Sequence, residues 1–481
     1  MKWETVIGLE VHAELSTKSK IFCGCSTSFS NVPNTHVCPG CSGMPGALPV
    51  LNKSVLEYAM RLGLALNCEI TKYSKFDRKN YFYPDIPNAY QISQLFAPIC
   101  RDGYLEIDVE GNKKKIGIRQ IHMEEDAGKL VHGANGAYMD YNRCGVPLLE
   151  IVSNPDFCNA AEVVAYLEKL RETLLYLDIC DCKMQEGSIR ADINLSVRKP
   201  GEELGVRTET KNMNSFKAIV RAIDYERERQ IEVLEDGGKL FQETRRWDDE
   251  KGTSYGMRSK ENAQDYRYFP DPDLPPINID DKWLAEIKDS LPELAYQKRE
   301  RYIKDMGIAE SAAVVLTVHK NISDLFENIA KQSSSAGAAG QAVEAANLIA
   351  GEIMRLMNNA NILPEDLVVD AGKLTTLINL VTGGKINRSA YKETVEEVFT
   401  NNVDPEKYIN EKGLMMVSDD GAIIEAVKAV IAENADSVTE YRAGKEKVFG
   451  FLMGMVMKKL GKGGNPELAK AKLEEALGKN P

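Results

Sequence analysis

The chain has 481 residues, of which 43% are hydrophobic and 27% charged, and a formal net charge of −12 at pH 7. This length exceeds one ordinary hydrophobic core, so we expect a globular protein of two or three domains, and the acidic balance excludes a uniformly basic nucleic-acid-binding surface. No apolar run approaches the roughly 18 residues of a membrane-spanning helix, and the start lacks a signal peptide, which predicts a cytoplasmic protein.

The first predicted element is a strand over Ile7–Leu15, in which apolar and polar residues alternate. Because successive side chains of a strand point to opposite faces, the apolar residues are predicted to face a core. The other face then carries Glu10, His12 and Glu14.

Two close cysteine pairs follow, Cys23 with Cys25 and Cys38 with Cys41. In a cytosolic chain of this size, clustered cysteines are more often metal ligands than disulfides. Four thiolates can converge tetrahedrally on one soft ion, for which zinc is the default, and such a closed site is structural and leaves no position for substrate. The alternatives are four unrelated buried cysteines, or His36 in place of one ligand.

Further polar residues recur on predicted strands later in the chain. His122–Lys129 contains three consecutive acids, and Glu150 stands between apolar neighbours. Ile189–Arg198 alternates an apolar row with a row that holds Arg190 and Asp192 among its polar residues. The next strand, Val206–Lys211, places Arg207, Glu209 and Lys211 on one face.

Two amphipathic helices are predicted among these strands, over Ala160–Leu177 and Ser215–Leu234. Together with the strands they indicate an α+β domain with helices against one sheet face. A single alternating strand is usually part of a solvated sheet, but four such strands in one domain favour a shared site. Carboxylates that hold a divalent cation beside Arg and Lys are what Mg²⁺–ATP chemistry requires.

The nucleotide would be held by the sheet, because no P-loop, dinucleotide-binding fingerprint or nucleophile elbow occurs in the sequence. A proline-rich connector, Pro270–Pro276, is predicted to close this first domain. After Asp281 the pattern becomes helical.

The predicted helices of this second part are separated by a loop over Ser333–Gly340 and a break near Asn402–Pro405. They span Ala309–Lys331, Ala342–Asn358 and Gly421–Glu433. Gly461–Gly464 is interpreted as a turn between two tail helices. From Arg442 to the end there are nine Lys or Arg against four Glu, a local charge of +5 that fits either a basic footprint or a solvated helical tail.

Several longer motifs resemble the family of B subunits of glutamyl/aspartyl-tRNA amidotransferases. The matching segments are Gly8–His12, His122–Gly128, Asp140–Arg143, Gly145–Val152, Gly187–Arg190, Lys211–Lys217, Asp265–Pro276, Phe451–Lys458 and Gly461–Pro466. The resemblance covers nearly the whole chain and implies a glutamine-synthetase-like cradle domain with an antiparallel sheet (residues 1–290). It also implies an all-α helical domain (291–403) and a small all-α tail domain that contacts tRNA (404–481).

The resemblance also implies an activity and partners. ATP would phosphorylate the side-chain carboxylate of Glu-tRNA(Gln) or Asp-tRNA(Asn), and ammonia would then displace phosphate. The ammonia would come from glutamine hydrolysed by a separate amidase chain, the A subunit, and a small third chain, the C subunit, would complete the heterotrimer.

We hypothesise three sets of site residues from these motifs. Mg²⁺ ligands are Glu10, His12, Glu125 and Glu150, with Glu124 and Asp192 as further members. Contacts to nucleotide or acyl phosphate come from Lys79, Ser188, Arg190, Glu209 and Lys211, and the catalytic set is Glu125, Glu150, Asp192 and Arg190. For each residue the alternative is a structural ion pair.

Two other functions compete with this hypothesis. A non-catalytic, zinc-stabilised tRNA-binding scaffold would explain the cysteines and the basic tail, but its acid-rich faces would repel RNA phosphates. A stand-alone ATP-dependent ligase for a small carboxylic acid would leave the helical domains without a role.

Overall fold

The computed structural model describes residues 2–133, 136–259, 266–332, 338–416, 420–461 and 464–478. They fall into two compact units, Met1–Leu294 and Ala295–Pro481. Within the described ranges, no helix is both long and apolar enough to cross a membrane.

The first unit is built on a nine-stranded sheet with the strand order β14-β13-β12-β11-β1-β10-β7-β6-β2. The strands of this unit are β1 Glu4–Glu14, β2 Glu69–Ile70, β3 Tyr73–Ser74, β4 Asp77–Asn80, β5 Tyr90–Ser93, β6 Cys100–Val109, β7 Asn112–Glu125, β8 Lys129–Gly133, β9 Gly136–Asp140, β10 Pro147–Ser153, β11 Ile189–Arg198, β12 Thr208–Lys211, β13 Glu243–Asp248, β14 Thr253–Ser259, β15 Phe269–Pro270 and β16 Ile277–Asn278. The central strand β1 pairs antiparallel with β10 on one side and β11 on the other.

Among the described residues the first unit has four helices, of which the first three pack against the sheet and the fourth packs on the first. They are α1 Lys53–Ala65, α2 Ala160–Tyr176, α3 Phe216–Glu235 and α4 Asp281–Asp289. The side chains of Asn159 and Ser215 cap α2 and α3, so both predicted helices are confirmed to within one residue at each end. α2 packs against β6 and α3 against β11, which leaves the opposite face of the central strands open.

The sheet is mixed, whereas the resemblance implied an antiparallel one. β12 and β13 run parallel because the chain between them crosses back through α3, and parallel neighbours need such a crossover. The α+β class is confirmed, and the cradle arrangement stays a prediction.

A small sheet of order β15-β4-β5 lies beside the large one. Gln91 donates from Nε2 to the carbonyl oxygen of Glu125 at 2.8 Å, which holds β5 against β7. Arg78 on β4 donates from Nε to Asp271 at 2.8 Å and lies over the ring of Tyr90. These contacts fix β4 and therefore the neighbouring Lys79.

The second unit is helical, as predicted. Its helices are α5 Ala295–Met306, α6 Glu310–Leu316, α7 Lys320–Gln332, α8 Ala338–Asn347, α9 Met354–Ala360, α10 Ala371–Thr382, α11 Arg388–Asn401, α12 Pro405–Glu411, α13 Asp420–Glu433, α14 Ala435–Arg442, α15 Val448–Leu460 and α16 Pro466–Leu477, with a π-helical turn over Leu348–Ile353.

The helix predicted over Ala309–Lys331 is two helices, α6 and α7, interrupted at residues 317–319. The helices predicted over Ala342–Asn358 and Gly421–Glu433 are confirmed. Of the loop predicted over Ser333–Gly340, residues 333–337 lie outside the described residues, and residues 338–340 are helical because α8 already begins at Ala338. Lys462 and Gly463 of the predicted turn also lie outside the described residues.

Two hydrophobic cores lie within the second unit, one between Tyr302 and Leu414 and one between Ile423 and Leu477. Asn402 adopts a left-handed conformation that ends α11, which confirms the predicted break. Ile409 and Leu414 still belong to the first core, so this core extends past residue 403. The three-domain division stays a prediction.

A buried ion-pair network joins α3 to the sheet. Glu226 is 1% exposed and accepts hydrogen bonds from Thr208 Oγ1 at 2.7 Å and from both Nε and Nη2 of Arg229. Burial alone would raise the pKa of Glu226, but the hydrogen bonds from Arg229 outweigh it and hold this pKa below 4.5. Arg245 lies 3.4 Å from the same carboxylate.

We predict that Glu226→Gln lowers the free energy of unfolding of the first unit by about 3 kcal/mol at pH 7, because Arg229 and Arg245 then share only one carboxylate, that of Glu243. Since the folded-state pKa is lowered, this stabilisation is complete above the unfolded pKa and is lost as the pH falls through the folded pKa. The difference between wild type and variant should therefore shrink below about pH 4.5.

Urea unfolding followed by tryptophan fluorescence measures the free energy of unfolding of the first unit, since Trp3, Trp247 and Trp283 all lie in this unit. The control is Glu228→Gln, an exposed position on the same helix. Equal stability of Glu226→Gln and wild type at pH 7 would contradict the prediction.

Candidate active site

Strand pairing brings the predicted polar residues to one face of the sheet. Ile7, Leu9 and Val11 of β1 are at most 1% exposed on the core side. On the other side His12 lies opposite Glu150 of β10 and Arg190 of β11, and Glu10 lies opposite Asp192. The side chains line a cavity of about 440 Å³ that also includes Lys79, Glu124, Asp126, Glu209, Lys211 and Tyr266.

The first cluster in this cavity consists of His12, Glu124 and Glu150, whose ligand atoms all lie within 4.8 Å of one another. His12 Nε2 is 3.5 Å from Glu150 and 3.7 Å from Glu124. Two carboxylates and an imidazole form a donor set that fits a divalent cation.

His122 also belongs to this cluster, and the sequence hypothesis missed it. Its Nε2 lies 2.8 Å from Glu150, which is its register partner across β7 and β10. It stands two residues before Glu124, so strand alternation already placed both side chains on the same face.

Protonation of the first cluster is set by the contacts between its own groups. Burial lowers the pKa of His12, but the Glu150 carboxylate, followed by Glu124, outweighs burial and raises it to about 9. Burial acts to raise the pKa of Glu150, yet His122 and His12 hold it well below 4.5. The carboxylates therefore favour the protonated form of the imidazoles, and a divalent cation at this cluster would compete with those protons.

The second cluster consists of Glu10, Asp192 and Glu209, whose carboxylate oxygens also lie within 4.8 Å of one another. Lys211 Nζ lies 2.8 Å from Glu209 and donates a hydrogen bond to Asp192. Burial lowers the pKa of Lys211, but the two carboxylates outweigh it and the pKa rises, so this lysine is a cation.

Arg190 and Lys79 reach the same cavity from different strands. Arg190 donates from Nη2 to Asp126 at 3.0 Å. Lys79 Nζ lies 3.4 Å from Gln91 Oε1 and 5.1 Å from the ring centre of Tyr266. These cationic groups stand around the carboxylate clusters, an arrangement suited to phosphate oxygens.

Several buried polar atoms around the clusters lack hydrogen-bond partners within the described part of the chain. They are His122 Nδ1, Arg190 Nε and Asn194 Oδ1. Arg190 lines the cavity, while Asn194 and His122 contact two residues that line it, Glu10 and Glu150. Most buried polar atoms in proteins are paired, so these unpaired atoms are exceptions that lie at or next to the cavity.

Two predicted site residues lie elsewhere. Glu125 follows Glu124 on β7 and so points to the other face, where its Oε1 accepts from the backbone nitrogen of Ile92 at 3.0 Å. The structure does not bring it to Glu150, and Glu124 takes its place in the cluster. Ser188 lines a separate, neighbouring cavity of about 540 Å³. Arg207, which was predicted only to share a strand face with Glu209 and Lys211, is exposed and lies outside β12.

The four cysteines predicted to bind metal come together. The Sγ atoms of Cys23, Cys25, Cys38 and Cys41 all lie within 4.8 Å, with 3.9 Å between Cys38 and Cys41. Tetrahedral bonds of about 2.3 Å to one zinc ion would separate the sulfurs by about 3.8 Å. The cluster is therefore compatible with a metal site.

Lys20 supports this cluster, and sequence patterns gave no sign of it. It is fully buried, and its Nζ lies 3.5 Å from Cys41 Sγ and donates to the carbonyl oxygen of His36 at 2.7 Å. Hydrogen bonding with Cys23, assisted by the Lys20 charge, lowers the pKa of Cys41 to about 4. A thiolate is the form that binds metal.

Comparison with known proteins gives full-length matches. Residues 5–285 match a sequence family described as the GatB/GatE catalytic domain, and residues 324–477 match one described as the GatB domain. The B subunit of the aspartyl/glutamyl-tRNA(Asn/Gln) amidotransferase of Lachnoclostridium phytofermentans is 56% identical over 99% of each chain. Proteins of the same name from Caldicellulosiruptor bescii and Thermoanaerobacter sp. are 54% and 52% identical over the full length of both chains.

We predict that the purified chain carries one zinc ion and that Cys41→Ser loses it, because a closed site needs all four thiolates. Elemental analysis after desalting measures the zinc, with circular dichroism to follow the fold. The control is Cys158→Ser, an exposed cysteine outside the cluster. Wild-type protein without zinc, or a full equivalent in Cys41→Ser, would refute this.

Proposed function

Since this chain belongs to the family of aspartyl/glutamyl-tRNA(Asn/Gln) amidotransferase B subunits, we propose that it activates and amidates the side-chain carboxylate of Glu-tRNA(Gln), Asp-tRNA(Asn) or both. The observation that supports this most directly is the cavity in which two acidic clusters meet Lys79, Arg190 and Lys211.

The proposed reaction has two steps. A carboxylate resists attack by ammonia because the leaving group would be an oxide. Transfer of the γ-phosphoryl group of ATP to a carboxylate oxygen gives an acyl phosphate and ADP. Ammonia then attacks the carbonyl carbon, phosphate leaves, and the amide remains on the tRNA.

Different residues of the cavity have different roles in these two steps. His12, Glu124 and Glu150 would hold Mg²⁺, which neutralises charge on phosphate oxygens when bound. Lys79 and Arg190 are placed to contact the phosphates, and they stay ordered through Tyr266, Gln91 and Asp126. The wall formed by β1, β10 and β11 would exclude water, which would otherwise hydrolyse the acyl phosphate.

The remaining parts of the chain would have structural and binding roles. The four cysteines would hold a structural zinc ion away from the reacting atoms. Ammonia would come from the amidase chain, the A subunit, with the small C subunit completing the heterotrimer. The tail domain would contact tRNA through its last part, where the stretch from Arg442 to the end carries the basic surplus.

The proposal is tested by reconstituting the chain with the amidase and the small partner chain and measuring ATP-dependent amidation of each mischarged tRNA. We expect Glu150→Gln and Asp192→Asn to lower the rate at least about 100-fold, because each removes charge that the transition state needs. Binding of tRNA should be unchanged.

Glu69→Gln, an exposed position on the edge strand β2, is the matched control and should keep full activity. Full amidation by Glu150→Gln would remove the first cluster from the mechanism. Wild-type protein that binds tRNA without ATP cleavage, with both partners present, would favour the non-catalytic scaffold instead. Activity on a free carboxylic acid without tRNA would favour the stand-alone ligase.

A further inference from the structure

Lys20 is a fully buried cation beside the four cysteines. Within the described ranges it forms no ion pair with Asp or Glu, and its side-chain contacts are all to other groups. Moving an ammonium group out of water is strongly unfavourable unless a negative group faces it. The counter-charge of Lys20 must therefore be sought among groups other than carboxylates.

The ammonium group of Lys20 has three contacts. Nζ donates to the carbonyl oxygen of His36 at 2.7 Å and to that of Tyr141 at 3.2 Å, and it lies 3.5 Å from Cys41 Sγ. A lysine ammonium group has three N–H donors and no acceptor, so these contacts use it fully. Of the three acceptors, only the sulfur atom can carry a negative charge.

A metal bound by the cysteines would concentrate negative charge at this position. The four Sγ atoms lie within 4.8 Å of one another. Four thiolates around Zn²⁺ leave two negative charges in excess, and Lys20 would balance one of them. Hydrogen bonds from a cation to an anionic acceptor are stronger than neutral ones, so this contact would also hold the Cys41 sulfur in place.

A carboxylate that stands close by is engaged elsewhere. Glu125 lines the same small cavity as Lys20 and Cys41. Its Oε1 accepts from the backbone nitrogen of Ile92 at 3.0 Å. Glu125 is therefore the alternative source of negative charge that an experiment has to separate from the cysteines.

The contacts of Lys20 also join separate segments of the chain. His36 belongs to the loop between the two cysteine pairs, and Tyr141 follows β9. The next residue, Ile21, donates from its backbone nitrogen to the carbonyl oxygen of Gly145 at 3.0 Å, just before β10. Lys20 thus holds the cysteine loop against the segment that leads into β10.

We propose that Lys20 is the internal counter-ion of a metal centre formed by Cys23, Cys25, Cys38 and Cys41, and a positioning residue for Cys41. The inference rests on the zinc site of the proposed function and not on the amidation reaction. Groups that hydrogen-bond to metal ligands orient those ligands and tune the affinity for the metal.

The first test measures zinc affinity of the full-length chain by competition with a chromophoric chelator. Lys20→Met removes the charge and keeps most of the side-chain volume. We expect its zinc affinity to fall at least about 10-fold, which is the usual effect of losing a partner of a metal ligand. Lys18→Met, at an exposed position of the same segment, is the matched control and should keep the wild-type affinity.

Replacing zinc by Co²⁺ separates charge from packing. An ammonium group beside Sγ lowers the energy of the sulfur electrons, so its loss in Lys20→Met should move the sulfur-to-cobalt charge-transfer band to lower energy. The d–d bands, which report tetrahedral coordination, should stay unchanged. A lower affinity without a band shift would assign Lys20 a packing role and overturn the inference, as would wild-type affinity in a folded Lys20→Met chain.

The wild-type chain gives a measurement that does not depend on whether Lys20→Met folds. Zinc-loaded and chelator-treated chains are acetylated with an N-hydroxysuccinimide ester, and the modified lysines are mapped by mass spectrometry. Lys20 should be protected with zinc and react without it, because cysteines that lose the metal take up protons and the charge facing Lys20 falls. Lys18 should react in both states.

Glu125→Gln tests the alternative counter-charge. Lys20 should stay protected in the zinc-loaded Glu125→Gln chain. Reaction of Lys20 in that chain, or its protection in wild type both with and without zinc, would refute the counter-ion role.

The two proposals can fail separately. A wild-type chain that binds no zinc would reject the role of Lys20 and leave the amidation proposal standing. The expected affinities and band shift in a chain without amidation activity would support the role of Lys20 and reject the proposed function.

Discussion

The position of β1 between β10 and β11 is the constraint on which the candidate site depends. Antiparallel pairing on both sides sets Glu10 and His12 against Asp192, Glu150 and Arg190 in fixed register. The helices seal the other face of the sheet, so these polar side chains have one direction in which to point. A shift of β1 by one residue would exchange the two faces and turn the polar row into the core.

Gathering so many acids in one cavity has an electrostatic cost. Two carboxylates about 4 Å apart repel by about 4 kcal/mol at an effective dielectric constant near 20. The protein offsets this with imidazoles in one cluster and with the Lys211 ammonium in the other. The two clusters therefore differ in the positive group that balances their carboxylates, which is an imidazole in one and a lysine ammonium group in the other.

Much of the fold and of the candidate site could be predicted from the sequence, because alternation along a strand indicates which side chains share a face. Alternation predicted the polar row of β1, and the helical spacing of apolar residues predicted α2 and α3. The full-length relatives confirmed the family resemblance. Alternation also separates Glu124 from Glu125 and joins His122 to Glu124, whereas our ligand hypothesis combined Glu124 with Glu125 and omitted His122. Register between strands more than 100 residues apart and the buried position of Lys20 arise from tertiary packing, which no local pattern encodes.

The adjacent acids of β7 have one further consequence. Glu124 belongs to the first cluster, while Glu125 faces a small cavity that Lys20 and Cys41 also line. A single peptide unit, the one between Glu124 and Glu125, therefore separates the first cluster from the cavity beside the four cysteines. Because neighbouring side chains of a strand leave the backbone in opposite directions, a substitution that displaces this segment of β7 on the cysteine side also displaces Glu124 on the cavity side.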